Sequence, residues 1–264
     1  MNVLLREKEI EYPTSDGQPM AESQEHVQAI IELLLGLRQR FAGAPDVWVG
    51  ANFFLFYEQG NPKACVSPDV LLARGVVKRY RPNYLLWQEK PPSLVVEVTS
   101  PKTKRKDLGP KKSLYERIGV EEYILFDPLA EYLRPPLQGF RLMRGIYQPI
   151  PLEADGSLRS RTTDLWFKRE GDLLRLVDVP TGQRILWSEE QKTARVAAEA
   201  KAASAEAKAA SAEARAESEA AKAASEAARA ESEAAKAAEE SAARQAAEER
   251  IRALEAELSR LRKG

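Results

Sequence analysis

SLVVEVTSPKTKRKDLGPKKSLYERIGVEEYILFDP, residues 93–128, sets out a strand, a helix and a second strand in that order. Leu94–Thr99 is strongly β-branched and fits a pleated, buried strand. DLGPKKSLYERIG follows as a helix: Asp107 suits its N-cap, Pro110 is tolerated in the first turn, and Gly119 suits the end. EEYILFDP closes the stretch as another apolar strand. Upstream, ESQEHVQAIIELLLGLRQRF (22–41) carries Val27, Ile30, Ile31, Leu34 and Leu35 at helical spacing, and Gly43 and Pro45 end that helix. VWVGANFFLFYE and CVSPDVLLAR (47–58 and 65–74) read as strands joined by a hairpin signal, Gln59-Gly60-Asn61-Pro62. Downstream, FRLMR, TDLWFK, DLLRLVD and QRILW alternate with Gly- and Asp-bearing turns between Gly139 and Trp187. The order is helix, three strands, helix, strand, then a β-rich extension. That is an α/β (α+β) domain.

Composition narrows the function. Among 264 residues, 40 basic and 40 acidic side chains cancel, which excludes a uniformly cationic nucleic-acid coat but not a local basic face. One cysteine, Cys65, excludes an internal disulfide framework and a four-cysteine zinc site. One histidine, His26, excludes every two-histidine metal motif and reads as an ordinary helix-surface side chain. No apolar run approaches the ~20 residues that cross a bilayer. The opening MNVLLREKEIEYP lacks a signal peptide's long apolar centre. A soluble protein of a reducing compartment, the cytoplasm, is expected, with no membrane partner.

From Glu189 the composition changes. The last 76 residues hold 30 alanines, no proline, and no glycine before the final position. They form helix readily and have little from which to build a core. The chain therefore divides into a domain at 1–188 and a helical or coiled-coil tail at 189–264. Heptads run from Glu199, but the seam positions alternate alanine (Ala223, Ala230, Ala237) with glutamate (Glu226, Glu233, Glu240). Only Ile251, Leu254, Leu258 and Leu261 make an apolar seam. Self-association is expected to be weak or absent over 199–247 and stronger over 248–262, and dimerisation through the body is left open. Fully helical, the tail would reach about 110 Å.

Chemistry-bearing residues cluster in the opening stretch. No phosphate-cradling glycine loop or nucleophile elbow is present. Asp69 and Glu97, in contrast, sit inside apolar strands, where a charge is costly unless paired or bound to a cation. Period two puts Val96 and Val98 on one side and Val95, Glu97 and Thr99 on the other. A salt bridge to a basic side chain explains either acid alone; together they suit Mg²⁺, which prefers one or two carboxylates and water. Asp107, Lys111 and Tyr115 recur at i, i+4 and i+8 on one helix stripe. Lys111 either pairs with Asp107 or leans over the sheet toward Glu97. Residues 102–112 hold six basic side chains and one acid, including Lys102, Lys104, Arg105 and Lys106. That loop either is merely solvated or neutralises phosphates.

The run SPDVLL…LVVEVTSPKTKRKDLGPKKSLYERIGVEEYILFDP resembles the Uma-type endonucleases of the PD-(D/E)XK nuclease superfamily. YPTSDGQPMAESQEH, the GNP hairpin and YLRPPLQGFRL are similar to the same group, and the likeness covers about residues 10–187. It implies a restriction-endonuclease-like αβββαβ core, with Asp69 and Glu97 as the motif's two acids. The superfamily's usual lysine would fall at Thr99, a departure. The resemblance assigns that role to Lys111 instead, and likens Lys111-x-x-x-Tyr115 to the Q-x-x-x-Y element of exonuclease-like relatives. Glu22 corresponds to an acid that some members add to the metal shell.

The resulting expectation is a metal-dependent endonuclease acting on nucleic acid, DNA foremost. Asp69, Glu97 and the Val98 main-chain carbonyl would hold Mg²⁺ or Mn²⁺. Lys111 would orient or help deprotonate a water or stabilise charge, and Tyr115 with the 102–106 loop would position the backbone. The alternative is an inactive nuclease-fold binding or scaffold protein that oligomerises through its C-terminal helix. A paired-carboxylate glycosidase, which needs the two acids roughly 5–9 Å apart, finds no sugar platform beyond scattered tryptophans.

Overall fold

The structure, a computed structural model, describes residues 11–14 and 22–261, without the side chains of residues 257, 260 and 261. Most of the opening stretch read for a leader, residues 15–21 of the family-like segment, and the side chain of the last zipper position lie outside the described residues. Helix α1 (Gln24–Arg40) is capped by Ser23, whose hydroxyl accepts the His26 amide at 3.3 Å. Six strands follow: β1 (Val47–Ala51), β2 (Leu55–Phe56), β3 (Cys65–Val66), β4 (Val70–Arg74), β5 (Tyr84–Leu85) and β6 (Leu94–Val98). A helical segment comes next, made of α2 (Lys104–Lys106), a π-helical turn (Asp107–Lys111) and α3 (Lys112–Arg117). After it run β7 (Glu122–Phe126), β8 (Leu137–Met143), β9 (Ile146–Pro149), β10 (Leu158–Ser160), β11 (Leu165–Glu170) and β12 (Leu173–Asp178), then α4 (Ser188–Leu261).

The central sheet has the order β1-β4-β6-β7-β8-β9, with β6 and β7 parallel and every other neighbouring pair antiparallel. The helical segment is the crossover that the parallel pair requires. Two smaller sheets, β10-β11-β12 and β3-β2-β5, complete the domain. On one face of the central sheet, Val49, Leu72, Val96 and Ile124 share a core with Leu33 and Leu37 of α1 and with Phe167 and Leu176 of the second sheet. On the other face Leu71, Val95, Tyr123 and Leu125 meet Tyr115 of α3. The alternation read for β6 is therefore observed.

Several local expectations are corrected. The buried stripe of α1 is His26, Ala29, Ile30, Leu33 and Leu37, so Val27, Ile31 and Leu35 are exposed. The two long strands keep one hairpin register, Ala51↔Val70 and Leu55↔Val66, but each breaks where the chain passes between sheets. Asn52, at φ +48, makes the break. QRILW contributes only the bridge Val177↔Arg184, while β9 and β10 have no counterpart among the expected strands. Asp107 is not an N-cap: the segment begins at Lys104, and Asp107 lies inside it.

The chain divides into two units, Met1–Lys192 and Thr193–Gly264. The first residues of α4 are tied within the first unit. Buried Arg175 stacks on Trp187 at 3.5 Å and donates to both oxygens of Glu190 at 2.6 and 2.8 Å, and the Ser188 amide donates to Glu32 at 3.0 Å. Beyond Lys192, the described side chains are exposed. No helix among the described residues is long and apolar enough to cross a membrane.

Glu122, at the start of β7, joins the central sheet to the residues following β10. It is fully buried and accepts from Arg141 Nε at 2.8 Å, the Arg161 amide at 3.0 Å and the Ser160 and Thr162 hydroxyls at 2.5 and 2.9 Å. Removing one partner of such a buried pair strands the rest. Glu122→Ala is expected to lower stability by about 3–5 kcal/mol, read as a lower urea midpoint at unchanged slope.

Candidate active site

In the antiparallel pair β4–β6, Val70 lies opposite Val96. One step further the same register sets Asp69 opposite Glu97, and directly opposed residues share a face. Both side chains therefore sit on one face at adjacent positions, and Asp69 Oδ2 accepts the Val98 amide at 2.7 Å. The Asn52 amide holds the backbone there, lying 3.2 Å from both the Pro68 and Asp69 carbonyls. Glu97 is 0 % exposed.

The helical segment supplies the counter-charge. Lys111 Nζ donates to Glu97 Oε2 at 2.7 Å and lies 3.2 Å from Asp107 Oδ1, while the Tyr115 hydroxyl donates to Glu97 Oε1 at 2.7 Å. Pro110 has no N–H to give and its ring crowds the preceding turn, so the helix widens there into the π-turn. Tyr123 of β7 donates to the Asp107 carbonyl at 3.0 Å and fixes that turn against the sheet. Asp107 itself is 1 % exposed, and neither of its carboxylate oxygens receives a hydrogen bond beyond the ion pair with Lys111.

Burial dominates the electrostatics. It pushes Glu97 up to about 8 and Asp69 up to about 6, against the pull of Lys111 and with repulsion from Asp107 adding to both. Burial alone would lower the Lys111 ammonium, but Glu97, Asp107 and Asp69 outweigh it and hold Lys111 above its ordinary value. Tyr115 is raised well above the usual phenol range by burial and by Glu97.

Two residues read otherwise from the sequence border this cluster. His26 is buried, with Nε2 at 3.7 Å from Glu22 and 3.9 Å from Asp69 and with Nδ1 unpartnered. Burial keeps its pKa low. Its signal lies in the stripe it shares with Ile30, Leu33 and Leu37. Glu22 precedes the N-cap rather than standing on the helix, and lies against His26, which in turn lies against Asp69. Asp107 is the other residue that the linear pattern leaves out of the cluster; its i+4 spacing to Lys111 is legible, its burial is not.

The basic run does not stay together in space. Lys102, Arg105 and Lys106 are exposed, Lys104 lies over Tyr132 at 5.6 Å, and Lys112 lies over Phe140 at 3.6 Å. Only Lys111 turns into the carboxylates. Thr99, two residues after Glu97, is buried, and its hydroxyl has no hydrogen-bond partner among the described residues. Of Val98, the N–H is the group engaged at Asp69.

Opposed oxygen donors, with charge that burial resists, suit a hard divalent cation. Among the described residues no three His, Cys, Asp or Glu side chains are grouped for metal binding. A cation at Asp69 and Glu97 would complete its shell with main-chain oxygen or water, as Mg²⁺ commonly does.

Residues 3–170 match a family profile described as "Putative restriction endonuclease". No curated protein matches the chain. Among solved structures, it is similar to "a putative nuclease belonging to DUF820 from Anabaena variabilis ATCC 29413", at 13% identity and a TM-score of 0.41, over 60% of this chain and 87% of that one.

A carboxyl that holds its proton more tightly folded than unfolded favours folding as pH falls through its folded pKa, and its ionised form weighs against the fold above that value. Without divalent ions, the melting temperature is therefore expected to rise from pH 8.5 to 6.5, as Glu97 takes up its proton. That window lies at or above the ordinary His pKa, which keeps the opposing contribution of His26 small. The rise should flatten in Glu97→Gln. An unchanged pH slope in that variant counts against the charge assignment.

Proposed function

The chain belongs to the Uma2 restriction-endonuclease family, and on that premise we propose a divalent-metal-dependent nuclease that hydrolyses phosphodiester bonds in DNA. The observation that carries this is one arrangement: Asp69 opposite Glu97 in the β4–β6 register, with Lys111 reaching Glu97 at 2.7 Å. Asp69, Glu97 and the Val98 main-chain carbonyl would hold Mg²⁺ or Mn²⁺. When bound, that ion supplies positive charge at a phosphate oxygen and a more acidic water.

The chain's own residues supply the rest. Tyr115 fixes the orientation of Glu97 by occupying Oε1. Lys111, held protonated by its acidic neighbours, is a donor to charge developing on the phosphate rather than a base. Asp107 gives its ammonium a second anchor, so Lys111 stays in place when Glu97 is otherwise engaged. His26 and Glu22 form an outer layer against Asp69. Of the basic run, exposed Lys106 offers a phosphate contact, and buried Tyr115 acts only from beneath.

A second reading, a non-catalytic nuclease-fold scaffold that self-associates through α4, draws support from Thr99 and from the exposed Ile251, Leu254 and Leu258. The two readings separate by assay. In DNA cleavage with Mg²⁺ or Mn²⁺, Glu97→Gln and Lys111→Ala are each expected to lose about 10²-fold or more in rate, and Asp107→Asn about tenfold. No cleavage by wild type, or equal rates in all, removes the catalytic proposal. In sedimentation, the full chain is expected to form an oligomer that the double variant Leu254→Glu/Leu258→Glu loses; equal masses would exclude the zipper.

A further inference from the structure

A cleft of about 570 Å³ opens between β3 and the helical segment. Tyr57, Cys65 and Val66 line one wall; Lys106, Lys111 and Arg117 project from the other. The lining holds three cations and no acid. Lys111 belongs both to this cleft and to the carboxylate cluster, so the cleft borders the cluster through that side chain. Arg117 lies 5.9 Å from the ring of Tyr57, across the opening.

The state of these charges distinguishes the cleft from the other basic surfaces. In the groove beside Trp48, Arg38 donates to the Val49 carbonyl, Lys78 to those of Phe41 and Ala42, and Arg79 to Glu89. In the hollow by Glu122, Arg141 is paired with that acid. Lys106 and Arg117 are exposed and make no ion pair among the described residues. Eleven residues of helix separate them, about 16 Å at ~1.5 Å per residue. Several successive phosphates, at about 3.4 Å of rise each, fit along that length.

We propose that this cleft binds the sugar–phosphate backbone of the strand to be cut, with Lys106 and Arg117 on either side of Lys111. The inference rests on the nuclease reading for the identity of the ligand. It assigns backbone contact to two residues that line one cleft, Lys106 and Arg117, over the run Lys102–Arg105 that is contiguous in sequence. Such contacts fix position without reading bases.

The test is fluorescence anisotropy of a labelled DNA duplex with the full chain, without divalent ions, between 50 and 200 mM salt. Each cation lost from the cleft removes about 0.9 from the log–log salt slope. Arg117→Gln and Lys106→Gln are therefore each expected to fall about 3.5-fold less in affinity than wild type across that range. Arg105→Gln and Lys112→Gln, which lie outside the cleft, should keep the wild-type slope, with melting temperatures confirming that all four variants fold. A wild-type slope in Arg117→Gln, a reduced slope in Arg105→Gln alone, or no binding by wild type would overturn the cleft. If wild type never cleaves yet Arg117→Gln still loses slope, the nuclease reading falls and the cleft stands.

Discussion

Glu97 sits in the middle of an all-buried strand, directly across from a second carboxyl. Like charges opposed in a sheet repel, and burial raises the cost further. The surroundings answer that cost group by group. Lys111 and Tyr115 each take one oxygen of Glu97, and the Val98 amide takes one of Asp69. Asp107 then holds Lys111 from the far side. Even so, both opposed acids remain harder to ionise than free carboxyls. A site that keeps such residual electrostatic tension is the kind of place where a protein trades stability for binding or chemistry.

The geometry of the helical segment follows from the same constraint. The ammonium of Lys111 must reach down to β6 while the chain crosses from β6 to β7. Pro110 widens the turn just before it, and Tyr123 pins that turn through a main-chain carbonyl. Tyr115, one turn later, closes the apolar layer beneath. One short segment thus serves as crossover, as core and as the source of the counter-charge.

Much of this is legible in order and little of it in register. The β-branched run at 94–99 and the 107–111–115 stripe show a strand and a helix face, and both occur. The opposition of Asp69 and Glu97 depends on strand pairing, which a linear pattern does not encode; it is set by the Val70↔Val96 register. His26 and Asp107 escape the linear pattern for a shared reason. A polar residue on a helix is by default solvated or capping, and only the packing of α1 and the π-turn onto the sheet end buries these two. The six bases at 102–112 form one cluster in sequence, but helical rotation sends Lys104, Lys111 and Lys112 to three different neighbours. Arg117, five residues beyond, joins Lys106 in the same cleft instead.

The central claim is that the two opposed carboxyls, Asp69 and Glu97, stand where a divalent cation belongs. Anomalous diffraction from crystals soaked in Mn²⁺ tests it most directly. The account predicts a single strong peak between the Asp69 and Glu97 carboxylates, with Lys111 still in contact with Asp107. A peak elsewhere, or none at saturating Mn²⁺, would contradict it.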